Sequence, residues 1–111
     1  MTLGTVEAGS DVTFTLTLSN QDGTNVDFKS GGDATFETYV EKDGVVWILT
    51  ADITTTIGAD ADGNPITVAL ADTSTDDLAI GRYTVVVRAT LAGGAKRVWR
   101  ETFVIKRAAF V

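Results

Sequence analysis

The clearest pattern in this chain is a strict alternation of apolar and polar residues near its start. In "DVTFTLTLS" the apolar side chains are Val12, Phe14, Leu16 and Leu18, and threonines fill the positions between them. Successive side chains of a β-strand point to opposite faces, so a period of two places the apolar set on one face. The segment therefore predicts a half-buried antiparallel strand.

Turn dipeptides divide the rest of the chain into short segments. Asp22-Gly23, Asp43-Gly44, Asp62-Gly63 and Gly93-Gly94 each lie between apolar or β-branched stretches, and such pairs supply the positive φ values of hairpin turns. Seven to nine short strands with turns about every ten residues predict an all-β antiparallel sandwich, a single domain over residues 1–111. The predicted strands lie near residues 4–8, 11–19, 33–41, 45–50, 52–57, 65–70, 82–91 and 96–106, with a weaker extended piece at 25–28.

One segment, "TSTDDLAIG", is a candidate for a single helical turn. Thr73, Ser74 or Thr75 would cap it, since hydroxyl side chains accept hydrogen bonds from the first free N–H groups of a helix. Asp76 and Asp77 would lie at its amino end, where the helix dipole favours negative charge. Gly81 would end it.

The stretch that follows, "LAIGRYTVVV", predicts a corner between two sheets. In many antiparallel sandwiches a Tyr near the start of a late strand bonds through its hydroxyl to backbone a few residues upstream. Here Leu78 would fill the end of the core, Gly81 would allow the sharp turn, and Tyr83 would lock the corner. Val85 and Val87 would continue the inward face. These residues predict a structural corner rather than an active site.

Composition narrows the chemistry. The chain has 111 residues, 44% hydrophobic and 22% charged, with no Cys and no His. Without Cys it has no disulfide and no thiolate zinc site, and without His it lacks the commonest general base of enzymes. No apolar run approaches the roughly 20 residues of a membrane helix, and the start resembles no secretion signal. We expect a soluble, non-enzymatic protein with no cofactor and no membrane partner, although carboxylate-only catalysis remains open.

The charge is segregated along the chain. Residues 1–81 hold fourteen acidic and two basic side chains, a net of −12, and residues 82–111 hold seven basic and one acidic, a net of +6. The total of −6 argues against nucleic-acid binding by the whole domain. Two interpretations stay open: cross-strand ion pairs within the domain, or a dipolar subunit whose basic edge meets an acidic neighbour. The candidate contacts with a neighbour are Lys96, Arg97, Arg100, Lys106, Arg107 and Phe110. For Phe110 a second interpretation stays open, in which its ring covers the core of its own domain.

Three further motifs are candidate sites. "DADGN", from Asp60 to Asn64, has the spacing of oxygen ligands at the start of a calcium loop but lacks the rest of it, so it predicts an acidic turn and no metal. Trp47 and Trp99 have the ring that stacks on sugars, but their apolar settings predict core positions. The basic cluster around Arg97 lies beside an aromatic residue, a combination that can bind single-stranded nucleic acid. We expect instead that it is a solvated strand edge or contacts an acidic neighbour.

Taken together, "VEAGSDVTFTLTLSNQDGTNVDF", "ITVALADTSTDDLAIGRYTVVVRATLAGG" and a closing "ETFVI" resemble the small Ig-like domains of bacteriophage virion proteins. In layout they are most similar to amino-terminal domains of siphophage baseplate and tail accessory proteins. The resemblance implies a structural protein of the virion, made in the host cytoplasm, whose partners are other virion proteins and further copies of itself. A tail, baseplate, capsid-decoration or head-fibre position is expected. The alternative is an adhesion or glycan-binding module of a bacterial surface protein.

Overall fold

The computed structural model describes residues 2–29, 31–59, 61–76 and 78–106. Eight strands and one short α-helix, α1 (Asp72–Asp76), occur in these residues. A 3₁₀ turn, Thr50–Asp52, precedes the fifth strand. No helix in the described ranges is long and apolar enough to cross a membrane. The strands are β1 (Thr2–Glu7), β2 (Val12–Leu16), β3 (Thr35–Lys42), β4 (Val45–Ile48), β5 (Ile53–Thr56), β6 (Ile66–Leu70), β7 (Gly81–Thr90) and β8 (Lys96–Lys106).

These strands form two sheets. One has the order β1-β8-β7-β3-β4 and the other the order β2-β6-β5. Neighbouring strands are antiparallel except β1, which runs parallel to β8. This separation of the second, fifth and sixth strands from the third, fourth, seventh and eighth is the immunoglobulin partition of strands B, D and E from C, C′, F and G. The predicted all-β, Ig-like sandwich is confirmed.

Alternating apolar residues of β2 are buried, as their pattern predicts. Phe14 and Leu16 on β2 are buried, and so is Leu18 just beyond the strand, whereas the intervening threonines are exposed. β2 pairs with β6 in the register Phe14↔Val68, so the apolar sets of both strands face the other sheet. Burial of each such side chain contributes about 1.5–3 kcal/mol.

The other half of the core comes from the last two strands. Tyr83, Val85 and Val87 on β7 alternate inward, as predicted, and Phe103 and Ile105 on β8 join them. The rings of Phe14 and Phe103 lie 5.3 Å apart between centroids, across the two sheets. The weak extended piece at 25–28 is not a strand: a single bridge, Ser19↔Asn25, replaces it.

The helical turn exists but begins earlier than predicted. Its first residue is Asp72, and the backbone N–H of Asp72 donates to the Asp11 carboxylate at 2.7 Å. The Asp72 carboxylate itself accepts a hydrogen bond from the Thr73 N–H at 2.7 Å. One capping bond is therefore local, and the other, from Asp11 in the β1–β2 turn, is a tertiary contact that the local sequence does not contain. Thr75 lies inside the turn and donates its hydroxyl to the Ser10 carbonyl oxygen at 2.7 Å.

The predicted ends of the turn were therefore wrong. Asp76 is its last residue rather than part of its amino end, and Asp77 lies outside the described residues. Gly81 does not end the helix but opens β7 at a φ of 154°. A Cβ at Gly81 would meet only the flexible end of the Lys42 side chain, with Nζ at 2.6 Å, so the positive φ rather than a lack of space explains the glycine.

Candidate functional site

The corner between β6 and β7 brings Leu78, Gly81 and Tyr83 together. The Tyr83 hydroxyl donates to the Ala79 carbonyl oxygen at 2.9 Å, and its ring stacks on Phe103 with centroids 5.9 Å apart. Leu78 is fully buried in the core. The Lys42 ammonium lies 5.3 Å from the centre of the Tyr83 ring. These contacts hold the entry of β7 against the end of the core.

The predicted partner residues of the last strand are exposed. Lys96, Arg97, Arg100 and Lys106 all lie on β8, and Arg107 and Phe110 lie outside the described residues. β8 is not an outer strand of its sheet, since β7 pairs along its whole length and β1 pairs with its second half from Thr102 onward. The expected basic edge is therefore mainly a basic face.

We call the side of the five-stranded sheet that points away from the core the outer face. Cross-strand rows define it: Glu41↔Thr84↔Thr102, then Tyr39↔Val86↔Arg100, then Glu37↔Arg88↔Val98. Its basic residues are Lys96, Arg100 and Lys106 on β8 and Arg82 and Arg88 on β7, and its acidic residues are Glu37 and Glu41 on β3 and Glu7 on β1, opposite Lys106. The outer face is thus basic along β7 and β8 and acidic along β3.

The two sides neutralise each other only in part. Within the described part of the outer face, the ion pair is that of Arg88 and Glu37, whose N–O distance is 3.4 Å. Both side chains are more than half exposed, and pairs of this kind contribute about 1 kcal/mol or less. At the centre of the face, Val86 is fully buried but is not part of the core cluster. Neighbouring side chains of the outer face cover Val86, so the face has an apolar centre with charged residues around it.

The prediction that Trp47 lies in the core was wrong, because its side chain is 51% exposed. The register explains this result. β4 pairs with β3 as Val40↔Ile48 and then Glu41↔Val46, so Trp47 is an extra residue in β4, a β-bulge. Ile48 takes the inward position instead. The β3–β4 turn at Asp43 and Gly44 has φ values of 54° and 81°, as a type I′ hairpin turn requires.

The bulge leaves an unusual apolar strand at an outer edge of the sheet. Val45, Val46 and Trp47 on β4 and Leu49 just after it are 44–61% exposed, and residues 45–51 carry no charge. We call these four residues the apolar edge. Sequence reasoning missed it, although a four-residue strand that is apolar at every position signals burial on both faces or a partner.

A groove lies on the outer face beside the apolar edge. It has a volume of about 330 Å³, and its apolar lining is Tyr39, Val46 and Leu49. The carboxylates of Glu37 and Glu41 lie in its wall, with Arg88. An aromatic ring between two carboxylates is a setting that favours a cation.

A second, more polar cleft lies beside Trp99. Trp99 is half-buried, packs edge-on against Phe28 and donates its Nε1–H to the Ser19 carbonyl oxygen at 3.3 Å. The open cleft, of about 910 Å³, is lined by residues 19–22 and 97–99. Asp22 in this lining accepts a hydrogen bond from the Thr24 hydroxyl and another from its backbone N–H, and these bonds lower the pKa of the Asp22 carboxyl.

The calcium-like segment forms a turn. Asp62 accepts a hydrogen bond from the Asn64 backbone N–H at 3.0 Å, and the Asn64 side chain is buried and bonded to the backbone of Leu18 and Val26. Asp60 lies outside the described residues. In the described ranges, no three acidic side chains come close enough to hold a metal ion.

Comparison with known proteins finds a likeness among solved structures. No protein-family model matches the sequence, and no curated protein matches it. Among solved structures, the chain is similar to murine CRIg, with 11% identity and a TM-score of 0.44 over 96% of this chain and 92% of that one. From its own strand order and sheet pairing, the chain is an all-β sandwich of the Ig-like class.

Proposed function

We propose that this chain is a non-enzymatic structural protein of a bacteriophage particle and that it acts by protein–protein assembly. The observation that carries the assembly role is the apolar edge, Val45, Val46, Trp47 and Leu49. The virion setting rests on the sequence resemblance to Ig-like domains of virion proteins. In that setting the chain is made in the host cytoplasm and joins the tail, the baseplate or the head surface.

The apolar edge suits docking of another protein for two reasons. First, β4 is the last strand of its sheet, so its outer N–H and C=O groups are free to pair with a strand of a partner. Second, folded proteins usually protect such an edge with charged residues or proline, and residues 45–51 contain neither. A bulge alone interrupts the edge, and it projects the Trp47 ring outward.

The virion setting is tested by immunogold electron microscopy with antibody raised against this domain. Purified particles from the source lysate are expected to carry gold at the tail, the baseplate or the head. Label on the cell envelope with unlabelled particles would refute the virion role and leave the surface-adhesion alternative.

The role of the apolar edge is tested in the same particles by substitution. Trp47→Lys places a charge at the centre of the edge, and tryptophan is among the residues that contribute most to interfaces. The substitution is expected to weaken the free energy of binding to the particle by about 2 kcal/mol or more, which is about 30-fold weaker binding, and so to remove the label. Ile80→Lys is the matched control, because Ile80 is also more than half exposed but directly precedes β7, which β3 separates from β4. Equal labelling by both variants would contradict docking through the apolar edge.

A specific observation also favours the glycan-binding alternative. Trp47 is exposed, and Trp99 borders the polar cleft, so both rings are available to stack on a sugar. Titration of oligosaccharides against tryptophan fluorescence distinguishes this function. A saturable change that Trp99→Phe removes and Trp47→Phe retains would assign binding to the cleft, whereas an unchanged spectrum across bacterial surface glycans would reject it.

A further inference from the structure

We infer that a second copy of this chain binds the outer face, and that the two copies pair about a two-fold axis running along the strands. This inference rests on the proposed assembly role and names one partner for it. The observations that carry it are the opposite charges of β8 and β3 on the outer face and the groove beside Tyr39, which Glu37, Glu41 and Arg88 line.

The arrangement of charge makes the outer face complementary to itself. A two-fold axis along the central strand β7 places β8 of one copy over β3 of the other, since β8 and β3 flank β7 on opposite sides. Basic Lys96 and Arg100 then meet acidic Glu37 and Glu41, and each contact occurs twice. The same axis places Arg82 and Arg88 of β7 beside the same residues of the other copy, and Glu37 offsets the charge of Arg88 through their ion pair. An axis across the strands would place β8 over β8 and β3 over β3, so that both the basic and the acidic strand would face like charge. The opposite charges of β8 and β3 therefore favour the axis along the strands.

The register identifies the central contact. Arg100, Val86 and Tyr39 share one row of the sheet, so the two-fold axis brings the Arg100 guanidinium of one copy over the Tyr39 ring of the other. Glu37 and Glu41 are two residues before and after Tyr39 on the same face, about 7 Å away along the strand. The guanidinium thus enters the groove of about 330 Å³, over the Tyr39 ring, beside the Glu41 carboxylate and the Glu37 carboxylate that Arg88 of the same copy already pairs.

The size of the face predicts a weak and reversible dimer. Five strands about 4.8 Å apart, with about seven residues each at about 3.3 Å per residue, give roughly 450 Å² of flat area per copy. Twice that area is at the lower limit of specific interfaces, among transient complexes. We therefore expect monomer and dimer to exchange, with the fraction of dimer rising with protein concentration and falling with salt, because exposed charges are screened.

A charge swap tests the pairing. By sedimentation equilibrium, Arg100→Glu alone and Glu41→Arg alone are each expected to weaken the dimer at least tenfold, because each creates two symmetry-related like-charge contacts. An equimolar mixture of the two variants is expected to restore a dimer, since both contacts then join opposite charges. Arg100 and Glu41 lie in different rows of the sheet, so they are not cross-strand neighbours within one copy. Because neither substitution breaks a cross-strand pair between them, each variant should keep the circular-dichroism spectrum of the folded chain.

Arg97→Glu is the matched control. It makes the same change of charge on the same strand, but Arg97 pairs with core-facing Ala89 and borders the Trp99 cleft instead of the outer face. This variant should dimerise nearly as the unaltered chain does. A chain that is monomeric at every concentration, single variants as dimeric as the control, or a mixture that stays monomeric would each overturn the inference.

The two proposals fail separately. If the chain is monomeric in solution but gold still labels particles and Trp47→Lys removes that label, the dimer is rejected and the assembly role stands. If the charge swap restores a dimer while particles carry no label, the dimer stands and the virion role is rejected.

Discussion

Asn64→Ala is expected to lower the free energy of unfolding by about 3–5 kcal/mol, although Asn64 lies in a loop. Its side chain is buried, accepts a hydrogen bond from the Leu18 N–H at 3.0 Å, and donates to the carbonyl oxygens of Leu18 and Val26. The Leu18 oxygen keeps a second partner, the Val26 N–H at 3.1 Å. The Leu18 N–H and the Val26 oxygen would each lose a bond, and an unsatisfied buried group costs about 1–3 kcal/mol.

The loss matters because Asn64 joins two distant parts of the chain. Leu18 and Val26 flank the loop that carries Ser19 to Asp22, one wall of the Trp99 cleft. A domain of this size has a total stability of about 5–15 kcal/mol, so the substitution would remove a large share of it. Urea unfolding followed by tryptophan fluorescence measures the change.

Asn20→Ala is the matched control for that measurement. The Asn20 amide bonds to the exposed Thr24 hydroxyl at 3.2 Å, and loss of an exposed bond is expected to change stability by no more than about 0.5 kcal/mol. Equal destabilisation by the two variants would show that the buried bonds of Asn64 contribute little.

Leu78→Ala is the second substitution with a large expected effect. Leu78 is fully buried at the corner before β7, and removal of a buried leucine side chain costs about 2–5 kcal/mol through lost burial and the cavity left behind. The corner also holds the entry of β7 through Tyr83. We expect the urea midpoint to fall by the corresponding amount with an unchanged slope.

The chain supplies a close control two residues away. Ile80 is 62% exposed, so Ile80→Ala removes an aliphatic side chain of similar size without opening a cavity. Its effect is expected to stay within about 0.5 kcal/mol. If Leu78→Ala were equally mild, Leu78 would not be the core residue that the corner requires.

Strand positions were predictable because they depend on local pattern. The alternation at Phe14 and Leu16 and the turn at Asp43-Gly44 involve neighbours in sequence, and both appear where expected. Trp47 shows where this reasoning fails. Apolar neighbours made it look buried, but a one-residue register shift against β3 turns it outward. Which of two adjacent apolar residues enters a core is decided by the partner strand.

The helical turn and the acidic loop also depend on residues that are distant in sequence. Asp11 caps the turn from 61 residues away in sequence, so residues 73–77 by themselves indicated the wrong start. The "DADGN" segment looked like a turn with calcium-like spacing, but nothing local showed that Asn64 would be buried and bonded to Leu18 and Val26.

The all-β class, the approximate strand positions and the separation of acidic from basic residues follow from the amino-acid sequence alone, because periodicity, turn propensity and charge are properties of neighbouring residues. Three features follow only from the folded chain: the basic strand β8 lies inside a sheet, β3 and β8 place opposite charges on one face, and Val45, Val46, Trp47 and Leu49 form an exposed edge. These features depend on pairing between distant strands. A one-residue shift in that pairing moves a side chain from the core to the surface.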